Sequence, residues 1–128
     1  MNVKAVKREL QQSYPGVNIK QRTDAEGAVT EIVGEIDRKL INSKRDVAVV
    51  ITDRSPEHYH DVITEEYEVF KGSLRVFLNG DPVELSEGES VVIEPGTHHY
   101  AEGDETWFYC YSEPDWTSED FHMVENEI

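Results

Sequence analysis

Cysteine is nearly missing from this chain. Cys110 is the only one in 128 residues, so no disulfide within the chain is available. It sits in the apolar-aromatic run Trp107–Ser112, a setting that suits a small buried hydrophobe better than a nucleophile. Long apolar stretches are missing too. None approaches the roughly 20 residues that a spanning helix needs, and the N-terminus lacks the apolar segment of a leader peptide. The expected compartment is the cytoplasm. Basic residues are scarce: 12 Lys and Arg stand against 27 Asp and Glu, for a net charge of −15. With no basic cluster, that balance excludes nucleic acid and anionic membranes as partners. The bland reading of the charge is a soluble, self-repelling surface. A salt-adapted host is the sharper reading, and stability measured against salt separates the two.

What remains is a chain of the size of one domain, with 38% hydrophobic residues, enough for an ordinary core. Val3, Val6, Leu10 and Tyr14 recur at helical spacing, with Asn2 as N-cap and Pro15-Gly16 as the stop. This predicts a helical segment over residues 1–16 packed on the outside of a β-domain over residues 17–128 with a short tail. Short strands are expected at Val17–Gln21, Val29–Ile36, Leu40–Ile41 and Asp46–Thr52, the last being the most apolar and central. Others follow at Glu65–Phe70, Leu74–Leu78, Val83–Leu85, Val91–Ile93, His98–Glu102 and Thr106–Ser112, the last two split by Gly103-Asp104. Asn79-Gly80 marks a tight hairpin, because both residues accept positive φ. Thr117–Phe121 suits a brief helical turn. Many short strands behind one helix predict an all-β sandwich or barrel.

Four of the five histidines lie in two short segments, His58-Tyr59-His60 and His98-His99. On an extended segment His58 and His60 share a face and can ligate one ion. Glu65 lies an odd number of residues on, so the chain must bend between Asp61 and Thr64 to deliver it to that ion. After the bend Glu65, Tyr67 and Val69 share the inward face, and Glu66, Glu68 and Phe70 share the outer one. Glu65 rather than Glu66 is therefore the candidate ligand. Only one of His98 and His99 can face inward, and local composition does not choose between them. Three imidazoles and one carboxylate suit one divalent transition metal ion, Fe, Mn, Ni, Cu or Zn. Such a set leaves coordination positions open, as in a catalytic rather than a structural site.

These segments resemble the two motifs of the cupin superfamily. His58, His60, Glu65 and Gly72 match the first without a gap; Gly88, Gly96 and His99 match the second and favour His99 as the fourth ligand. Glu94 stands where the second motif has its first proline, Gly103 replaces its closing Asn, and Asp53 stands where a glycine precedes the first motif. The resemblance implies a jelly-roll β-barrel of the small single-domain kind, with the metal inside one open end. It also implies a homodimer paired through the N-terminal segment or the sheet edges, which need cover.

Two classes of function follow. One is an enzyme acting on a small oxygen-rich molecule, of isomerase or dioxygenase type; the other is a binding module that acts as sensor, carrier or accessory subunit. A metal-stabilised barrel with no ligand is a third. Tyr67 is the candidate acid/base beside Glu65, though an aromatic filling the barrel wall is the stronger reading of it. No acid pair or arginine clamp is evident at interior positions, and Arg75 is expected to face solvent. The run Trp107–Tyr111 alternates. Either Phe108 and Cys110 line the pocket with Tyr67, or Trp107, Tyr109 and Tyr111 do.

Overall fold

The computed structural model of the chain describes residues 1–124, so the last four residues of the expected tail lie outside the described part. Helix α1 (Val3–Ser13) begins at Asn2, whose Oδ1 accepts from the Ala5 amide at 3.1 Å. Ten strands follow: β1 (Asn18–Thr23), β2 (Val29–Glu35), β3 (Asp46–Arg54), β4 (His58–Tyr59), β5 (Thr64–Lys71), β6 (Leu74–Leu78), β7 (Asp81–Leu85), β8 (Ser90–Ile93), β9 (His99–Glu113) and β10 (His122–Met123). They pair antiparallel throughout, and the curled sheet is of jelly-roll type.

Strand β9 organises the barrel. Its first part runs between β4 and β6, with His58 opposite His99 and Leu78 opposite His99. Its second part runs between β3 and β5, where Cys110 faces Ala48 on one side and Tyr67 on the other. The two strands expected here, split at Gly103-Asp104, are therefore one bent strand. The bend is absorbed by Glu105 at φ +46° and by slips in register between Thr52 and Arg54 and between Val69 and Lys71. Asp53 Oδ1 accepts the Glu105 amide at 2.7 Å and holds the kink. Gly103 is needed in it: a Cβ there would lie 2.5 Å from Thr106 Oγ1 and 3.1 Å from the Thr52 carbonyl oxygen.

Leu40 and Ile41 do not form the short strand expected of them. They belong to a 3-10 turn (Arg38–Ile41), not a strand, because Asp37 Oδ1 accepts the Lys39 amide and Asn42 closes the turn at φ +55°. Asn79 (φ +49°) and Gly80 (φ +87°) form the expected primed turn joining β6 and β7. The helical turn near Thr117–Phe121 is a 3-10 turn at Ser118–Asp120.

Two cores flank β3, which explains its unbroken apolar run. Inside the barrel, Val50 packs with Tyr67, Val69, Val76, Ile93 and Phe108. Outside, Val49 and Ile51 pack with Ile32, Trp107 and the helix residues Val6, Leu10 and Tyr14. Leu10 is fully buried and lies against Gly34, where a Cβ would come within 2.9 Å of its Cδ2. Burial of such a side chain contributes about 1.5–3 kcal/mol. The helix thus covers one face of β2 and β3 and leaves their other face to the barrel interior. Among the described residues no helix is long and apolar enough to cross a membrane.

Candidate metal centre

The inward face of β5 is set by its burial pattern. Glu65, Tyr67 and Val69 are buried, whereas Glu66, Glu68 and Phe70 are only partly so. Antiparallel pairing places His58 directly across from His99. His98, on the opposite face, is exposed and stacks on Tyr59. The chain turns between His60 and Thr64 because one carboxylate gathers three successive amides: Asp120 accepts from Asp61, Val62 and Ile63 at 2.9–3.1 Å. Consecutive amides of an extended strand point in opposite directions, so this convergence requires a turn and resolves the odd spacing between His60 and Glu65.

His58, His60, Glu65 and His99 converge with one potential ligand atom each, all within 4.8 Å of one another. All four are buried. His60 Nε2 lies 3.1 Å and His99 Nε2 3.3 Å from Glu65 Oε1, yet none of these three atoms completes a hydrogen bond. Nitrogen and oxygen are close but not aimed at each other; they face a common point. The opposite ring nitrogens are all engaged, each at 2.8 Å from a backbone carbonyl: His58 Nδ1 with Pro56, His60 Nδ1 with Asp120 and His99 Nδ1 with Thr97. An Nδ1–H donated to a carbonyl leaves Nε2 as a bare lone pair directed inward, the tautomer a metal requires. Three orphaned buried polar atoms at one point are otherwise costly. The donor set therefore fits a divalent transition metal, and these four residues could hold it.

The electrostatics of the cluster follow from burial and from the one carboxylate among the rings. Burial, together with neighbouring His99, pushes His58 down to about 3, so its ring is neutral. Burial also disfavours the His60 cation, but the Glu65 carboxylate outweighs it and leaves His60 above its ordinary value. Burial raises Glu65, and the His60 and His99 contacts outweigh that, holding it well below the usual carboxylate range. Burial and the Glu65 charge keep the Tyr67 hydroxyl and the Cys110 thiol protonated. Cys110 Sγ donates to Glu65 Oε2 at 3.2 Å, so this half-buried thiol is a neighbour of the centre rather than a purely apolar filler.

A cavity of about 810 Å³ opens from the centre, with His58, Glu65, Tyr67, Phe108 and Cys110 in its wall. Trp107 and Tyr109 pack on the helix side instead, which decides the alternation of that run. Arg75 is exposed and paired with Glu84. The interior nevertheless holds an arginine and a second acid that the sequence did not reveal: Arg22 and Glu31, from β1 and β2, line the same cavity. The alternation of Val29, Glu31 and Val33 was visible, but not which face of β2 the helix would cover. Also unforeseen was the C-terminal segment. β10 pairs with β4, and Phe121 stacks on His58 at 4.6 Å. A one-turn signal carried no hint of that docking.

Asp120→Ala should release the turn and loosen His60 against Glu65. Metal affinity is expected to fall about 10- to 100-fold, as for other supports of ligand orientation. Titration against a competing chelator reads this directly, and unchanged affinity would mean the turn forms without Asp120.

Comparison with known proteins agrees with the barrel. The family model described as Cupin domain matches residues 47–107. The nucleoside dehydratase Pac13 of Streptomyces superposes with a TM-score of 0.68 at 15% identity, over 85% of each chain. A cupin-2 domain protein of Rhodospirillum rubrum, Rru_A2000, superposes at 0.64 with 12% identity, over 84% of this chain and 80% of the other. An oxalate decarboxylase of Bacillus subtilis does so at 0.63 with 13% identity, over 87% of this chain but only 31% of that one. No curated protein matches the sequence. These likenesses concern the fold, and the motif-bearing strands fall within the matched span: residues 47–107 match the Cupin domain model, and the barrel around them has the fold of a small cupin.

Proposed function

We propose that this cupin binds one divalent transition metal through His58, His60, Glu65 and His99, and acts on a small oxygen-rich molecule admitted by the cavity. The observation that carries this reading is the convergence of three unpartnered buried atoms within one four-residue cluster, of which His58 and Glu65 also line the cavity. When bound, such an ion supplies Lewis-acid polarisation of a substrate oxygen. The chain's own contribution is positional. Three carbonyls fix the imidazole tautomers, Asp120 fixes the turn, and Phe108 and Tyr67 supply an apolar part of the cavity wall. Tyr67 remains the acid/base candidate on β5, its hydroxyl protonated and its ring 4.7 Å from Phe108.

The reaction class proposed is isomerase or dioxygenase type. The test is turnover of a panel of sugars, keto acids and diphenols by protein loaded with iron, manganese, nickel, copper or zinc. Turnover lost in His99→Ala supports an enzyme. Saturable binding without turnover across the panel would replace it with a binding module. The same reading keeps residues 1–16 as a helical segment on a barrel of residues 17–128, a homodimer formed through that segment or the β1 edge, and a cytoplasmic setting. Light scattering on the purified chain checks the dimer.

A further inference from the structure

The cavity holds one charged pair that the metal reading leaves unused. Glu31, on β2, is buried at 6% exposure, and its Oε1 lies 3.3 Å from Nε of Arg22 on the edge strand β1. The guanidinium is partly exposed, with its Cζ 4.6 Å from the centroid of the Phe121 ring, and that ring also stacks on His58 at 4.6 Å. Arg22 therefore sits one aromatic ring away from the candidate metal ligands, at the wall of the space a ligand would fill. The other cations near the mouth are engaged: Lys20 with Glu35 at 2.6 Å, and Arg38 with Asp46 and Asp115. Besides Lys20, Arg22, Glu35 and Asp46, the titratable groups that share the cavity wall with Glu31 are His58 from β4, Glu65 and Tyr67 from β5 and Cys110 from β9, none of these four a fixed cation. Among the described residues that line the cavity, Arg22 is the one arginine or lysine paired with a buried carboxylate.

We propose that Arg22 anchors a carboxylate of the cavity's ligand, and that Glu31 takes up one proton as the ligand's carboxylate replaces its own on the guanidinium. This rests on the reading of the cavity as a ligand site beside the metal. A guanidinium matches a carboxylate in a two-point fork, which is stronger than its one-point approach to Glu31. Charge balance supplies the second half. A Glu31 carboxylate displaced from the guanidinium is left buried without its ionic partner, a costly state that a proton on Glu31 removes. Glu31 is poised for this, since burial lifts it to about 7 even though Arg22 opposes the rise. The ligand class is a small organic acid, with hydroxyl or carbonyl oxygens to reach the metal end.

The test is calorimetric titration of the zinc-loaded full chain at pH 8, with glycolate and glucuronate as probes and ethylene glycol and glucose as their neutral counterparts. Each titration is run in two buffers of different ionisation heat. The acids are expected to bind at least about tenfold more tightly than the neutral probes, with uptake of nearly one proton per molecule bound. Arg22→Gln should abolish that preference. Glu31→Gln should keep acid binding but lose the proton uptake, and its folding and metal content serve as the control. Equal binding of acids and neutral probes, no binding of the acids, no proton uptake, or an unaltered preference in folded Arg22→Gln would each overturn the proposal. Metal content is measured on the same samples. A chain that holds no metal yet binds acids through Arg22 fails the metal reading alone, and a metal-loaded chain indifferent to acids fails this proposal alone.

Discussion

Removing the metal with a chelator should lower the melting temperature of the wild-type protein by roughly 10–15 °C. An ion that binds only the folded chain, present at about a thousand times its dissociation constant, stabilises by about 4 kcal/mol. For a chain of 128 residues each kcal/mol moves the midpoint by roughly 3–4 °C. The physical source is the cluster itself. Without an ion, the buried Glu65 carboxylate is left facing His60 and His99 nitrogens that do not complete hydrogen bonds to it. His99→Ala should already melt near the chelated wild type and respond little to chelator. Scanning calorimetry with and without chelator reads both. A wild-type midpoint unmoved by chelation, in protein whose metal has been removed, would mean that the cluster is stabilised by its own hydrogen bonding.

The second large effect is a pH dependence written by Glu31. Burial raises it from the ordinary carboxylate range to about 7, so between those values the folded chain holds a proton that the unfolded chain has lost. An acid shifted this way makes the folded state most favourable at low pH, and that contribution is lost as pH rises through the folded value. The window runs from about pH 4.5 to about pH 7, and the total is on the order of 3 kcal/mol. Glu31→Gln carries no titrating proton. It should match the wild type near pH 5 and exceed it by a few kcal/mol near pH 8. Urea denaturation at the two pH values measures the difference. Parallel profiles for the two proteins would mean that Arg22 fully compensates the buried charge.

How much of this was legible in the residues can be traced position by position. The first motif read correctly in local terms because two periodicities meet there: the two-residue alternation of His58 and His60, and the alternation of Glu65, Tyr67 and Val69 after a turn. The turn's cause was not legible. Asp120 lies 57 residues beyond Ile63, and nothing in its neighbourhood announces a carboxylate that will gather three amides. Strand β3 was readable as central because it is apolar on both faces, and Asn79-Gly80 because a primed turn needs positive φ at two successive residues. Gly103 misled for a similar reason. A Gly-Asp pair is the usual sign of a turn, but here the glycine makes room for Thr106 within a strand that bends and continues. Arg22 and Glu31 were hidden by symmetry. β1 and β2 alternate without favouring either face, and only the docking of α1 through Leu10 on Gly34 turns Glu31 inward.

That the four side chains hold one ion is tested most directly by elemental analysis of the purified chain. Wild-type protein incubated with a divalent transition metal and then desalted should retain about one ion per chain. His60→Ala and Glu65→Ala, confirmed as folded, should retain almost none. Equal metal in the wild type and both variants, or none in the wild type under any of the metals, would contradict it.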